Sequence, residues 1–538
     1  MPRVLLFVLF VFFCGVAHSE GATVRPPNIL LIVVDDVGYT DLGSFGGEIE
    51  TPNLDALAYK GTRLTNFYTA STCSPTRAML LTGTDHHLVG LGNMHEELSP
   101  NQKGQVGYEG HLNTRAASLA EVLKNAGYNT YMAGKWHLGL DESNSPAARG
   151  FDRSYVLLNG GGGHFDDLGL FGGTAKYREN GQLVSLPENF YSTQFYTEKM
   201  MAYIGSGEDK PFFAYLAYTA VHWPLQAPAS SIAKYRGRYS EGYDQLHQQR
   251  INGAIAKGVV PADSRVGSRL EGELAWSEVN ADQRKREART MEIYAAMLDD
   301  VDVYVGRLIE HLKAIGQFDN TVIFFMSDNG AEGHDIAQGL TELGPWVESC
   351  CNNHYENMGA ADSYLLAGPN WARASVGPGR LYKGMSTEGG IKAPAFIHYP
   401  QKPFKQSLHK RFSTVQDVMP TLLDLAGVET PTSPFLGRDI LPPGGRSLLN
   451  KQAVHSVPVE AGWELMGKRA YRRGDWKIVH LPVPYGNGSW QLYNLREDPG
   501  EQQDLSNIRP EELKVMLDGW ERYASTNNVI LPDWVSGY

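Results

Sequence analysis

The sequence predicts an α/β protein: a large, mainly parallel sheet sandwiched by helices, plus a smaller C-terminal α+β unit with an antiparallel sheet. Three observations carry this. Apolar runs of strand length alternate with amphipathic helical stretches over most of the chain, the pattern of a parallel sheet with crossover helices. The run 28–34 (NILLIVV) is apolar without a break, as a strand buried on both faces must be. From about Pro442 the texture changes to short strands and turns, which suits antiparallel pairing.

The elements follow in order. After the strand 28–34, Thr51-Pro52 opens a helix, with threonine as N-cap, proline at the first position and Gly61 as the stop. A second helix begins at Cys73, with Pro75 in its first turn and Gly83 as its stop. Ser118 and Glu121 form a capping box for a third, which Gly127 closes. Runs 128–133, 212–218 and 321–326 are further strands, the last preceded by a long helix over about 286–315. The polar stretch 235–285 lacks a strong period and reads as an insertion near the pocket rim, or as solvated surface. Strands 468–473, 476–480 and 490–495 and a helix over 510–524 complete the chain. The expected division is a leader over 1–19, a main unit over 24–440 and a small unit over 441–538.

Arg3, the apolar stretch 4–16 and Ala17-His18-Ser19 have the order of a secretory leader. The stretch is shorter than the roughly 20 residues that span a bilayer. A lipid anchor on Cys14 is disfavoured, because Phe12 and Phe13 stand where small residues are needed. The expectation is an exported protein, periplasmic or secreted, handled by the export machinery and without stable membrane insertion. The net charge of −12 has no long run of one sign, which argues against nucleic acid as a partner. An anionic substrate is compatible with it, since lysines and a metal set the field inside a pocket. Beyond the leader the cysteines are Cys73, Cys350 and Cys351; the adjacent pair reads as two free thiols, with a strained local disulfide as the alternative, and the absence of CxxC argues against structural zinc.

Four strands end in reactive side chains: Asp35-Asp36, Lys135 with His137, His222-Trp223-Pro224, and Asp328-Asn329-Gly330. Open α/β sheets bind ligands outside the carboxyl ends of their strands, so these groups can converge. Asp35, Asp36, Asp328 and Asn329 are hard oxygen donors suited to Ca2+; the competing reading is that each pair caps a turn. Lys135 and Lys383 can receive an anion, and His137 and His222 can move protons. Cys73 at a helix N-terminus is either a low-pKa nucleophile or an inert buried thiol. Met79 stands where a cysteine phosphatase needs arginine, which weighs against the plain thiolate.

Cys73-x-Pro75-x-Arg77 with Leu81-Thr82-Gly83 resembles the modification signature of type I sulfatases in the alkaline-phosphatase superfamily. Asp35-Asp36-Val37-Gly38, Thr51-Pro52-Asn53-Leu54-Asp55, Gly134-Lys135-Trp136-His137-Leu138-Gly139, Ser327-Asp328-Asn329-Gly330 and Gly389-Gly390-Ile391 extend the likeness. The segment 69–87 and the run His222-Trp223-Pro224-Leu225-Gln226-Ala227-Pro228 are most similar to bacterial secreted arylsulfatases. The resemblance implies hydrolysis of an organic sulfate ester and oxidation of Cys73 to Cα-formylglycine by a separate formylglycine-generating enzyme. It implies one Ca2+ on Asp35, Asp36, Asp328 and Asn329 together with the modified Cys73. It also implies that Arg77, Lys135 and His137 hold the nucleophile, while Lys383 and His222 face the sulfate. His86 and His87 read as structural, 160–163 as a mobile loop bordering the pocket, and Trp223 as either a stacking surface or core. The rivals are a phosphonate or phosphodiester hydrolase with the same centre, and a non-catalytic exported binder.

Overall fold

A computed structural model describes residues 25–206, 210–269, 273–336, 343–402, 406–449 and 459–534. The leader expected over 1–19 lies outside the described residues. A ten-stranded sheet runs in the order Leu408–His409, Thr62–Leu64, Ala395–His398, Thr321–Ser327, Asn28–Val34, Phe212–Ala217, Asn129–Lys135, Arg153–Leu157, Tyr177–Glu179, Gln182–Val184. Its middle is parallel, from Thr321–Ser327 to Arg153–Leu157. Antiparallel strands border that middle on both sides.

The unbroken apolar run 28–34 has the expected cause. Leu30, Ile32 and Val34 pack with Leu54 and Leu57 of helix Pro52–Lys60, Tyr196 and Met200 of Ser192–Gly205, and helix Ala281–Ala314. Ile29, Leu31 and Val33 pack with helices Cys73–Thr82, Leu119–Asn125 and Val418–Ala426 on the other face. Alternate residues of a strand point to opposite faces, so covering both faces leaves no polar positions.

Local signals hold in part. The capping box is formed: Glu121 N–H donates to Ser118 Oγ at 3.0 Å and Ser118 N–H to Glu121 Oε2 at 2.7 Å. Thr51 does not cap its helix; its hydroxyl accepts from Gly43 N–H. The first amides donate instead to Asp302 of the long helix, Asn53 N–H at 3.2 Å and Leu54 N–H at 2.7 Å. A carboxylate is the stronger acceptor and here comes from 248 positions away. Cys350 and Cys351, expected as free thiols, are bonded to each other. Helix Gly344–Cys350 ends there and Cys351 turns extended, φ −131° and ψ 144°, a change of direction that lets neighbouring sulfurs meet.

The stretch 235–285 contains helix Gly242–Ala256, and this helix is packed inward. Its Arg250 pairs with Asp41, with Glu48 at 2.7 Å and with Ser375 Oγ at 2.9 Å. Asp41 in turn accepts from Tyr294 OH at 2.6 Å and from Gly38 N–H at 2.6 Å. The insertion therefore braces the turn that follows Asp36.

At the C-terminus, Glu460–Leu465, Lys468–Arg473, Trp476–His480 and Trp490–Asn494 form an antiparallel sheet in that order. Helix Pro510–Thr526 covers one face through Met516 and Trp520. The other face packs Trp463, Ala470 and Val479 on Leu381, Met385 and Ile391. The first strand escaped the sequence reading because Gly462 interrupts it; a Cβ there would lie 2.2 Å from Tyr523.

His86 and His87 are structural: His86 Nδ1 is bonded to the Leu91 carbonyl at 2.7 Å, and His87 reaches the small sheet. His87 Nδ1 lies 2.7 Å from Asp85 and Nε2 3.3 Å from Glu464 of the small sheet. Burial pushes His87 down, but Asp85 and Glu464 outweigh it and raise it to about 9. The raised value means stabilisation that is complete below about 6.5 and lost as pH rises through about 9, on the order of 3 kcal/mol. His87→Gln is therefore expected to cost stability at pH 6, with the deficit against wild type shrinking by pH 9.5 in urea titrations. A pH-independent deficit would mean that His87 acts by shape alone.

Candidate active site

The four parallel strands whose ends carry the reactive groups are neighbours in the sheet: Thr321–Ser327, Asn28–Val34, Phe212–Ala217 and Asn129–Lys135. Their carboxyl ends therefore deliver Asp328-Asn329, Asp35-Asp36, His222, Lys135 and His137 to one edge, as doubly wound sheets do. Helix Cys73–Thr82 starts there, and its end is fixed by Gly83 at φ +64° donating to Met79 O. Lys383 arrives on a loop whose backbone is tied to Ala331 O at 3.0 Å and, through Gly384, to Ser71 O at 2.8 Å.

Every candidate residue from the sequence is in this cluster or on its wall. Cys73 Sγ lies 3.3 Å from Asp35 Oδ1. Ligand atoms of Asp35, Asp36, Cys73 and Asp328 all lie within 4.8 Å of one another. Asn329 Nδ2 donates to Asp36 Oδ1 at 2.7 Å, while its buried Oδ1 has no partner among the described residues. Lys135 Nζ donates to Asp35 Oδ2 at 2.6 Å. Arg77 sets Nε and Nη2 on Asp328 Oδ2, at 3.0 and 2.7 Å, and Nη1 on the Lys135 carbonyl at 3.1 Å. Lys383 Nζ donates to Asp36 Oδ2 at 2.9 Å and lies 3.2 Å from Glu332. His222 donates Nδ1–H to the Trp223 carbonyl at 2.7 Å, which points Nε2 toward Asp36 Oδ2, 3.8 Å away. His137 lies on the same edge with Nε2 toward Glu96.

The electrostatics divide the acids. Burial raises Asp35, yet Lys135, Arg77 and Lys383 outweigh it and hold the carboxyl below its ordinary value. Asp36 is pushed up to about 8, by burial and by Asp35, Glu332 and Asp328, with Lys383 opposing. The raised Asp36 carboxyl amid three further acids, with an amide oxygen beside it that is unpartnered among the described residues, fits a hard cation. Burial, Asp328 and Asp35 also push the Cys73 thiol well above its usual value. That opposes a low-pKa thiolate, which needs an electropositive setting. Burial, Lys383 and Lys135 hold His222 well below its ordinary value, so it is neutral near pH 7.

Several features were underread from the sequence. The 160–163 stretch is packed: a Cβ on Gly160 would meet His137 Cε1 at 2.8 Å, and one on Gly161 would meet His222 Nδ1 at 3.1 Å. His164 is buried, donating Nε2–H to the His222 carbonyl at 3.0 Å, with Nδ1 hydrogen-bonded to Ser192 Oγ at 2.8 Å. Glycines between two candidate histidines are the signal that identifies this close approach. Glu332, on Lys383, was missed although it stands two residues after Gly330 of the Asp328-Asn329-Gly330 motif. Trp223 is 2% exposed, packed with Leu343, Val347 and Tyr364. An exposed ring beside it is Phe171, 57% exposed and edge-on to Trp223 at 6.0 Å.

Comparison with known proteins places this site in a wider set. The chain is 43% identical over 546 residues to an uncharacterized sulfatase of Schizosaccharomyces pombe, covering 96% of this chain and 97% of that one. It is 38% identical over 445 residues to an arylsulfatase of Klebsiella aerogenes, covering 81% and 94%. The crystal structure of Ps i-CgsB with k-i-k-neocarrahexaose superposes with a TM-score of 0.65 at 26% identity, covering 95% of each chain. The sulfatase family model matches residues 27–428, a span that carries every residue of the cluster at the strand ends. By that match and by these relatives, the chain belongs to the type I sulfatases of the alkaline-phosphatase superfamily.

Proposed function

We propose that this sulfuric ester hydrolase is an exported, arylsulfatase-like enzyme that uses Ca2+ and a formylglycine made from Cys73 by a separate maturation enzyme. The observation that carries the reading is the convergence of Cys73, Asp35, Asp36, Asp328 and the unpartnered Asn329 Oδ1 beneath two buried lysines. The oxygen-rich set suits Ca2+, held by Asp35, Asp36, Asp328, Asn329 and the modified Cys73. Formylglycine supplies an aldehyde hydrate, with one hydroxyl to attack sulfur and a second whose deprotonation expels sulfate; Ca2+ supplies Lewis-acid charge stabilisation.

The chain's own residues have distinct tasks. Arg77 anchors Asp328 and the strand end at Lys135, fixing where the nucleophile stands. Lys135 holds the Asp35 carboxylate, Lys383 bridges Asp36 and Glu332, and their two buried ammonium groups supply the positive charge for sulfate oxygens. His222 keeps its Nδ1 proton on the Trp223 carbonyl, so Nε2 is the atom that faces the leaving oxygen. Burial keeps it neutral, with the two lysines adding to the effect; a bound sulfate offsets the lysines and favours the imidazolium that donates the proton. His137 receives the proton of the second hydroxyl.

Peptide mass spectrometry across Cys73, on protein made with a maturation enzyme, tests the assignment. A loss of about 18 Da relative to the thiol peptide establishes formylglycine, the arithmetic of replacing CH2SH by CHO at a covalent nucleophile. An unmodified thiol in active protein would return the reading to thiolate chemistry. Rates on matched aryl sulfates and phosphonates separate the rival reaction: faster phosphonate turnover overturns the sulfatase preference.

Chelation makes a second prediction. Removing the cation is expected to abolish turnover and lower the melting temperature, with Ca2+ restoring both better than Mg2+. At 100 times its dissociation constant a ligand adds about 2.7 kcal/mol. Asp36 at about 8 lies above its unfolded value, so its protonated form favours the fold at low pH. The chelated protein should therefore lose stability as pH rises from about 4 toward about 8, and the Ca2+-loaded protein should not. Identical melting curves with and without chelator would exclude a cation at these acids.

A further inference from the structure

A cavity of about 250 Å3 adjoins the centre on the His137 side, and of its lining the scheme above uses His137 alone. Ser74, Glu96, Glu109, His111, His137 and Asp141 contribute to its wall. Three features single out Glu96. Its carboxylate lies 3.4 Å through Oε1 and 3.5 Å through Oε2 from His137 Nε2. Such contacts are commonly long before substrate binds and tighten afterwards. His137 Nδ1 and Ser74 Oγ are both buried and have no hydrogen-bond partner among the described residues. Finally, the ring is hemmed in: His137 sits at φ +53°, and Gly160 approaches so closely that a Cβ there would be 2.9 Å from Nε2.

A neutral imidazole carries its proton on one nitrogen only, and the partner of the other nitrogen decides which. A carboxylate beside Nε2 can only accept, so it favours the Nε2–H form and leaves Nδ1 with its lone pair. We propose that Glu96 is a positioning residue: it holds His137 as the Nε2–H tautomer, so that Nδ1 takes the proton released as sulfate departs, and it stabilises the resulting imidazolium. The inference rests on the formylglycine reading above. In that step the hydroxyl O–H pair becomes the carbonyl π bond, sulfate leaves with the C–O pair, and the proton resides on Nδ1. The ring then returns its proton to water in the cavity. Burial, with Lys135 and Arg77 assisting, lowers His137, and Glu96 is the group that opposes them. A cavity walled by Glu96, Glu109 and Asp141 repels sulfate and suits water and protons. Glu96 is 39% exposed in its side chain, so its truncation leaves the fold intact.

The test uses the full chain with histidine labelled in the ring nitrogens. Long-range nitrogen–proton spectra, assigned by His137→Gln, report which nitrogen carries the proton. The expected wild-type pattern is Nε2–H with Nδ1 bare, lost in Glu96→Ala and retained in Glu96→Gln, whose amide oxygen still accepts. In matured protein, Glu96→Ala is expected to release about one alcohol per site in a burst and then turn over about 10²-fold slower, with Glu96→Gln recovering part of the loss. An unchanged tautomer in Glu96→Ala overturns the proposal, and so does a loss of rate with no burst. Should matured wild-type protein cleave no sulfate ester, the reading of the reaction fails, while the spectra still decide the role of Glu96.

Discussion

Cys73→Ser protein is expected to stall after a single event, releasing about one equivalent of alcohol or phenol per site and no free sulfate. Serine offers one hydroxyl; once it carries the sulfuryl group, no second hydroxyl on the same carbon remains to expel it. Steady-state turnover should fall by at least about 10⁴-fold, as losses of a covalent nucleophile do. The fold should be unaffected, since serine matches the buried cysteine in size and still meets Asp35 Oδ1, 3.3 Å from Sγ. Rapid-quench measurement of both products on an aryl sulfate, alongside melting curves, checks this. Multiple turnover near the wild-type rate would remove Cys73 from the reaction and leave the cluster as a metal site with another nucleophile.

Arg77→Ala carries the largest expected effect on stability. The guanidinium is fully buried and has two nitrogens on Asp328 Oδ2, with a third on the Lys135 carbonyl. Its Nη2 is also 3.7 Å from Asp35 Oδ2. Truncation leaves Asp328 uncompensated in the interior, and breaking a buried pair in this way costs about 3–5 kcal/mol. Arg77→Lys should recover only part, because a single ammonium cannot reproduce a planar fork that bonds a carboxylate and a carbonyl together. Urea unfolding of the three proteins reads the order wild type, Lys, Ala. An Ala variant as stable as wild type would mean that Asp328 is held chiefly by other groups and that Arg77 serves chemistry alone.

Much of this was legible in the sequence. The uniform apolar run 28–34 announced a strand covered on both faces, and helices occupy both. Placing acids, a lysine and histidines just past strand ends identified the working edge, because parallel strands all present their carboxyl ends on one side. Pro75 and Gly83 marked the helix that begins at Cys73, and Ser118 with Glu121 marked the next. These signals act within a few residues, through backbone torsions and local hydrogen bonds.

Tertiary structure decided the rest, for the same reason in each case: the partner is remote in sequence. Asp302 displaces Thr51 as the cap from 248 positions away. Gly160 and Gly161 are glycines because two histidine rings lie against them. Lys383, unremarkable among its neighbours, reaches Asp36 across 347 positions because the small sheet packs on its loop through Trp463 and Val479. The sequence by itself determined which chemical groups are available and on which strand ends they stand. Only the folded chain determined which of them touch, since strand order and the packing of the last unit set those distances, and neither leaves a local trace.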